Sequence, residues 1–168
     1  TGILAYAQNN STSISNSSAV VAQYENSAYD GQFYLGLDSN GWSTVLTSST
    51  DALGINAGGT STATRPTIFG VGKPNSSSGT ATLFRTDSTN GVYAEATDTY
   101  NQALGFALSY TNGGTLNVQR ISYFSIGLMT EPTARYLDGY VSEVIILQSG
   151  STDETRRAFN EQRNFWGF

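Results

Sequence analysis

Apolar residues along this chain recur in short bursts rather than at helical spacing. Runs at 3–7, 19–24, 32–37, 42–46, 66–72 and 80–85 combine β-branched and aromatic residues, and clusters of Gly, Asn, Ser and Thr separate them. That pattern predicts strands punctuated by turns. Asn40 and Gly41 form a two-residue hairpin cue, because a type I′ turn needs φ > 0 at both central positions. Asn90–Gly91 leads in the same way into a strand at 92–95, and 111–114 joins strands at 104–110 and 115–121. The turn at 73–79 carries Pro74 and ends on Gly79, which suits a tight reversal. Residues 47–64 are small and polar and read as a long loop. Strands at 124–129 and 136–147 close the β part, and no period of about 20–50 residues marks a repeat array.

The tail changes character. Ser151 is a good N-cap and Glu154 follows at the capping-box position. The residues from 152 to about 166 hold neither Gly nor Pro, and Gly167 stands where a helix C-terminus favours it. One helix over about 152–166 is expected, docked on the sheets through Phe159, Phe165 and Trp166. A helix this short is marginal in water without such a surface.

At 168 residues the chain fits one domain over 1–168, with about 70% of its unfolded surface buried. Only 12% of residues are charged while 12% are aromatic, which argues against disorder and for an uncharged polar surface. The net charge of −5 and the scattered basic residues exclude phosphate-backbone binding, so no nucleic-acid partner is expected. No apolar run is long enough for membrane insertion by a helix. The chain opens on Thr1, as expected of a processed N-terminus or one domain of a longer protein.

Cysteine and histidine are both absent. Thiolate and Ser-His chemistries in their usual forms are thereby excluded, and zinc hydrolysis is disfavoured. Glycoside hydrolysis needs two carboxylates about 5–9.5 Å apart, most simply i and i+2 on one strand. The nearest pairs here, Glu95 with Asp98 and Asp138 with Glu143, are odd-spaced and fall on opposite faces. No enzymatic activity is expected.

The run 137–146 (Leu-Asp-Gly-Tyr-Val-Ser-Glu-Val-Ile-Ile), the short loop into 151–157 and a helix closing on Phe165, Trp166 and Gly167 resemble the C-terminal signature of laminin-G-like, concanavalin A-like lectin/glucanase domains. Residues 67–74 and 124–127 are similar to two strands of that family. The likeness covers roughly 64–168. It implies an all-β, two-sheet antiparallel jelly-roll sandwich with one C-terminal α-helix. Such domains occur on secreted enzymes, bacterial surface proteins and phage virion proteins.

The expected function is a non-catalytic carbohydrate-binding or adhesion module on a virion surface or other extracellular assembly. Its partners would be a cell-surface glycan or other virion proteins, and a homo-oligomer is compatible with either. A structural virion module without a sugar ligand and a diverged glycoside hydrolase stand as alternatives. Trp42, Tyr93, Tyr100 and Tyr110, beside turns rich in Asn and Asp, are the candidate sugar-stacking rings, although sandwiches also bury such residues. No cofactor is required. Calcium is the metal whose oxygen preference fits, through Asp38 and Asp87 in Asx-rich turns; the same turns arise for conformational reasons alone. Glu143, the one ionisable group in the most apolar strand, is either a ligand or metal contact or an anchor of the helix against the sheet, capping backbone donors or pairing with an arginine such as Arg135 or Arg120.

Overall fold

Strands need partners on both sides of a shared apolar layer, and the alternation of this sequence supplies two such layers. The computed structural model describes residues 2–10, 18–25, 33–38, 41–47, 52–58, 64–74, 78–87, 93–100, 122–129, 135–147 and 151–168. Twelve strands and one helix lie within them: β1 (Gly2–Asn9), β2 (Ser18–Glu25), β3 (Phe33–Asp38), β4 (Gly41–Thr47), β5 (Ala52–Asn56), β6 (Thr67–Gly72), β7 (Gly79–Asp87), β8 (Ala94–Tyr100), β9 (Ser122–Ile126), β10 (Leu128–Met129), β11 (Arg135–Tyr136), β12 (Gly139–Leu147) and α1 (Thr152–Trp166). The first sheet runs β12-β1-β6-β7-β8, the second β5-β4-β3-β2-β9, and β10 and β11 form a small ribbon. Every ladder is antiparallel.

The two sheets face each other across one core. Ile3, Phe69 and Leu83 from the first sheet meet Val20, Leu35 and Trp42 from the second. Strand alternation sends Leu4, Ile68 and Phe84 to the opposite, outer face of the first sheet, where Phe159 of α1 covers them. The first sheet is therefore buried on both sides, which explains why β6 is apolar at nearly every position rather than alternating.

Two bulges adjust the faces. In β2 the register slips by one between Ala19 and Val21, and Val20 and Val21 both enter the inter-sheet core. In β12 the slip falls at Ser142: Tyr6 pairs with Glu143, but Ala7 pairs with Val141. Val141 and Val144 consequently both pack inward, while Glu143, Ile145 and Leu147 face α1. Without the extra residue Glu143 and Val141 would share a face.

The helix lies close to the sheet because two paired glycines lie beneath it. Gly2 and Gly72 are register partners, and a Cβ at either would stand 2.8 or 2.7 Å from the Thr155 hydroxyl. Thr155 is buried there, and its Oγ1 donates to the Ser151 carbonyl at 2.9 Å. At the N-terminus Ser151 Oγ accepts from the Glu154 N–H at 3.3 Å, as the capping signal predicts.

Four sequence expectations change. β5 occupies the middle of the expected loop at 47–64: its Ala-Leu-Gly-Ile-Asn has only two large apolar residues, yet Ile55 is buried and β4 supplies a full ladder. The strand expected at 92–95 runs instead from 94 to 100, a polar edge whose Thr residues suit a sheet rim. The strands expected to run unbroken over 124–129 and 136–147 are each divided, the first into β9 and β10 at Gly127 and the second into β11 and β12. Phe165 does not dock on the sheets. It is 74% exposed, and only Phe159 plugs the apolar face fully. The hairpin expected at 104–121 lies outside the described residues.

Candidate functional site

A sugar-stacking ring must present a face to solvent, and burial decides which candidates can. Trp42 is completely buried, tilted against Phe69 with ring centroids 4.2 Å apart, and its Nε1–H finds no hydrogen-bond partner among the described residues. Tyr100 is equally buried: its hydroxyl donates to the Pro74 carbonyl at 3.0 Å, and the Lys73 ammonium stands 4.6 Å from its ring centre. Burial lowers the pKa of Lys73. These two rings are core and turn closures rather than platforms, so that expectation is corrected. Position after a hairpin cue says nothing about which face of the strand a side chain takes, and Trp42 faces inward. Tyr93 is exposed, but the Arg163 guanidinium covers its ring at 5.5 Å and it meets Phe159 edge-on. It caps the helix–sheet seam. Tyr110, and with it Arg120, lies outside the described residues.

The two candidate calcium ligands are carried to one end of the sandwich. Asp38 Oδ1 accepts from Asn56 Nδ2 at 3.2 Å. The next residue, Ala57, offers its carbonyl to Arg85 Nε at 3.2 Å, and Arg85 in turn stands 3.6 Å from Asp87. Arg65 flanks the other oxygen of Asp87 at 3.8 Å. Burial lowers the Arg85 pKa while the Asp87 charge raises it. Two guanidinium groups thus hold Asp87, one on each oxygen, and among the described residues no three acidic side chains gather. Adding calcium or a chelator is expected to leave the melting temperature unchanged, and a chelator-sensitive transition would reinstate a bound cation.

The carboxylates weighed for catalysis are also separated. Glu95 receives the Arg156 guanidinium of α1 at 2.8 and 3.1 Å, which keeps that arginine strongly protonated. Asp98 caps its neighbour Thr99, and Asp138 accepts from Asn10.

What the structure does assemble is an aromatic patch with a carboxylate at the C-terminal end of α1. Gly167 takes the left-handed conformation (φ 76°) and ends the helix. The chain then turns back, and the Phe168 N–H donates to the Arg163 carbonyl at 2.9 Å, as in a Schellman cap. That reversal sets the Phe168 ring edge-on against Tyr6 at 5.7 Å. Trp166 lies against the same Tyr6, with centroids 4.4 Å apart, and its Nε1 donates to Glu143 Oε2 at 3.1 Å. Glu143 thus holds the end of α1 to β12 through Trp166, while Arg120 and the Arg135 side chain, the arginine partners expected for it, lie outside the described residues.

Around this anchor the surface is unusually apolar. Trp166 remains 38% exposed, Phe165 stands edge-on beside it at 5.2 Å, and Tyr140 is 66% exposed. The β12 bulge puts Tyr140 on the outer face, on the same side as Glu143. Beneath Trp166 a narrow crevice lined by Leu4, Tyr6, Ile68, Glu143, Ile145 and Gln162 separates α1 from the sheet. The Gln162 carbonyl oxygen is buried there with no hydrogen-bond partner among the described residues. Flat exposed rings beside a carboxylate can stack on the C–H face of a sugar and accept its hydroxyl protons. Sequence reasoning assigned Phe165 and Trp166 to docking alone and passed over Tyr140. The available signal was three aromatic residues in the last four positions, more than one helix face can bury.

Comparison of the chain with protein-family models, with curated proteins and with solved structures yields no match.

Proposed function

We propose that this chain is a non-catalytic carbohydrate-binding or adhesion module of concanavalin A-like jelly-roll topology, displayed on a larger extracellular or virion assembly such as a phage capsid or tail. The observation that supports it is the exposure of Trp166 and Phe165 beside Glu143, with Tyr140 exposed on the same outer face of β12. Two antiparallel sheets around one core, with a C-terminal helix, are consistent with that topology. An acidic, sparsely charged chain suits uncharged sugars better than anionic ones.

A glycan array followed by titration calorimetry tests this reading. Tyr140→Ala is the informative variant because the side chain is mostly exposed, so stability is retained. Loss of an aromatic stacking partner is expected to weaken binding about tenfold, roughly 1.4 kcal/mol. Of the two tryptophans only Trp166 reaches solvent, so ligand-dependent fluorescence reports on the patch directly. An array with no bound glycan class would leave the structural alternative, which the 74% exposure of Phe165 also favours as a protein-contact residue.

A further inference from the structure

One cross-strand row on the outer face of the first sheet runs beneath the C-terminal half of α1. In register order it is Glu143 on β12, Tyr6 on β1, Ile68 on β6 and Thr86 on β7. Strand alternation puts Thr86 on this face, two residues from Phe84, which packs on Phe159. Thr86 is completely buried, and its Oγ1 has no hydrogen-bond partner among the described residues. The Gln162 side-chain oxygen enters the same seam from the helix, buried and equally without a partner there. Buried polar groups are nearly always bonded, and an orphan costs stability that a ligand can return. Thr86 stands one strand, about 4.8 Å, from Ile68, which lines the crevice with Gln162. The other walls of that crevice are largely aliphatic, through Leu4 and Ile145.

We propose that this seam receives the acetamido group of a 2-acetamido sugar, an inference that rests on the carbohydrate reading and narrows its ligand class. An acetamido group carries one donor, one acceptor and one methyl. Its N–H donates to the Gln162 oxygen, its carbonyl accepts from the Thr86 hydroxyl, and its methyl meets the aliphatic walls. A hydroxyl on the same sugar carbon brings no methyl and has its donor and acceptor on a single atom. The pyranose ring stacks on Trp166, which is 38% exposed and backed by Tyr6. Glu143 lines the crevice beside it, and its charge disfavours acetamido sugars that also carry a carboxylate.

The crevice as it stands is too narrow to admit a water molecule, so entry requires the last turn of α1 to lift. That turn is the less firmly held part of the helix. Buried Thr155 and Phe159 fix the earlier turns. Beyond Gln162 the contacts are Arg163 with Tyr93, Trp166 with Tyr6 and Glu143, and Phe168 with Tyr6. Helix ends open more readily than their middles.

A glycan array printed with pairs that differ only at C2 tests this: glucose against N-acetylglucosamine, and galactose against N-acetylgalactosamine. Calorimetry on the better-bound pair is expected to show the acetamido member binding at least about tenfold tighter. Thr86→Val and Gln162→Leu should each remove most of that preference. Neither should lower the melting temperature, because each replaces an unpaired polar atom with an apolar one of similar size. Equal binding within the pairs, or a preference that survives both substitutions, overturns the proposal and leaves the carbohydrate reading standing. An array with no bound glycan at all removes both.

Discussion

Phe159→Ala is expected to lower the unfolding free energy by about 3–5 kcal/mol, the range for deleting a fully buried aromatic ring. The side chain is the plug between α1 and the first sheet, packed against Leu4, Ile68 and Phe84 and capped by Tyr93. No other large apolar residue of the helix is fully buried. The helix itself is too short to persist alone. Its remaining holds are smaller: Ala158 and the Trp166 ring pack at the edge of the seam, Arg156 pairs with Glu95 and Trp166 donates to Glu143, and exposed ion pairs are worth about 0–1 kcal/mol. Chemical denaturation monitored by far-ultraviolet dichroism checks the result, because loss of helical signal should accompany the drop in midpoint. A change below about 1 kcal/mol would mean that the cavity collapses or that the polar contacts hold the helix.

Arg85→Ala comes second, with an expected loss of about 3–5 kcal/mol, the range for removing one partner of a buried ion pair. Asp87 is almost wholly buried at the end of β7, and removing Arg85 takes away the nearer of the two guanidinium groups beside it. The Ala57 carbonyl would lose its donor as well. The double variant Arg85→Met with Asp87→Leu removes both charges and is expected to recover most of the loss, since an apolar pair of similar volume is often no worse than a buried ion pair. Denaturation midpoints of the wild type, the two single variants and the double variant form the cycle. Additive losses, with no recovery in the double variant, would show that the two charges do not depend on each other.

Local signals carried much of the architecture. The helix limits were legible because caps are written in single residues: Ser151, Glu154 and Gly167 act on their own backbone neighbourhood. The β3–β4 hairpin was legible from the same kind of local cue, but its register was not: Asp38 pairs with Gly41, so Gly41 opens β4 instead of forming the centre of a two-residue turn with Asn40. Ser142 and Val20 show what was not legible. A bulge is a mismatch between two strands, so neither sequence alone contains it. The faces of Val141 and Glu143 follow from that mismatch, and so does the side on which Tyr140 stands. Trp42 was misplaced by the same limitation. The strand it begins was expected, but which side of β4 faces the opposite sheet is decided by the tertiary packing that sets Phe69 against it. The candidate site depends on such pairings more than the fold does, since its aromatic residues come from β1, β12, the last turn of α1 and Phe168 just beyond it.

The pairing of β1 with β12 also sets the order of assembly. Gly2 stands opposite Leu147, so the second strand in the first sheet's order waits for the last strand of the chain. Closing a loop of that length adds little to the equilibrium cost but slows the search, as non-local pairings do. During synthesis β1 can be held by β6 on one side only, and its other rim stays open until β12 has left the ribosome. Such an interval exposes an apolar strand edge to neighbouring chains. The interval between β1 and β12 thus sets how long that edge stays exposed.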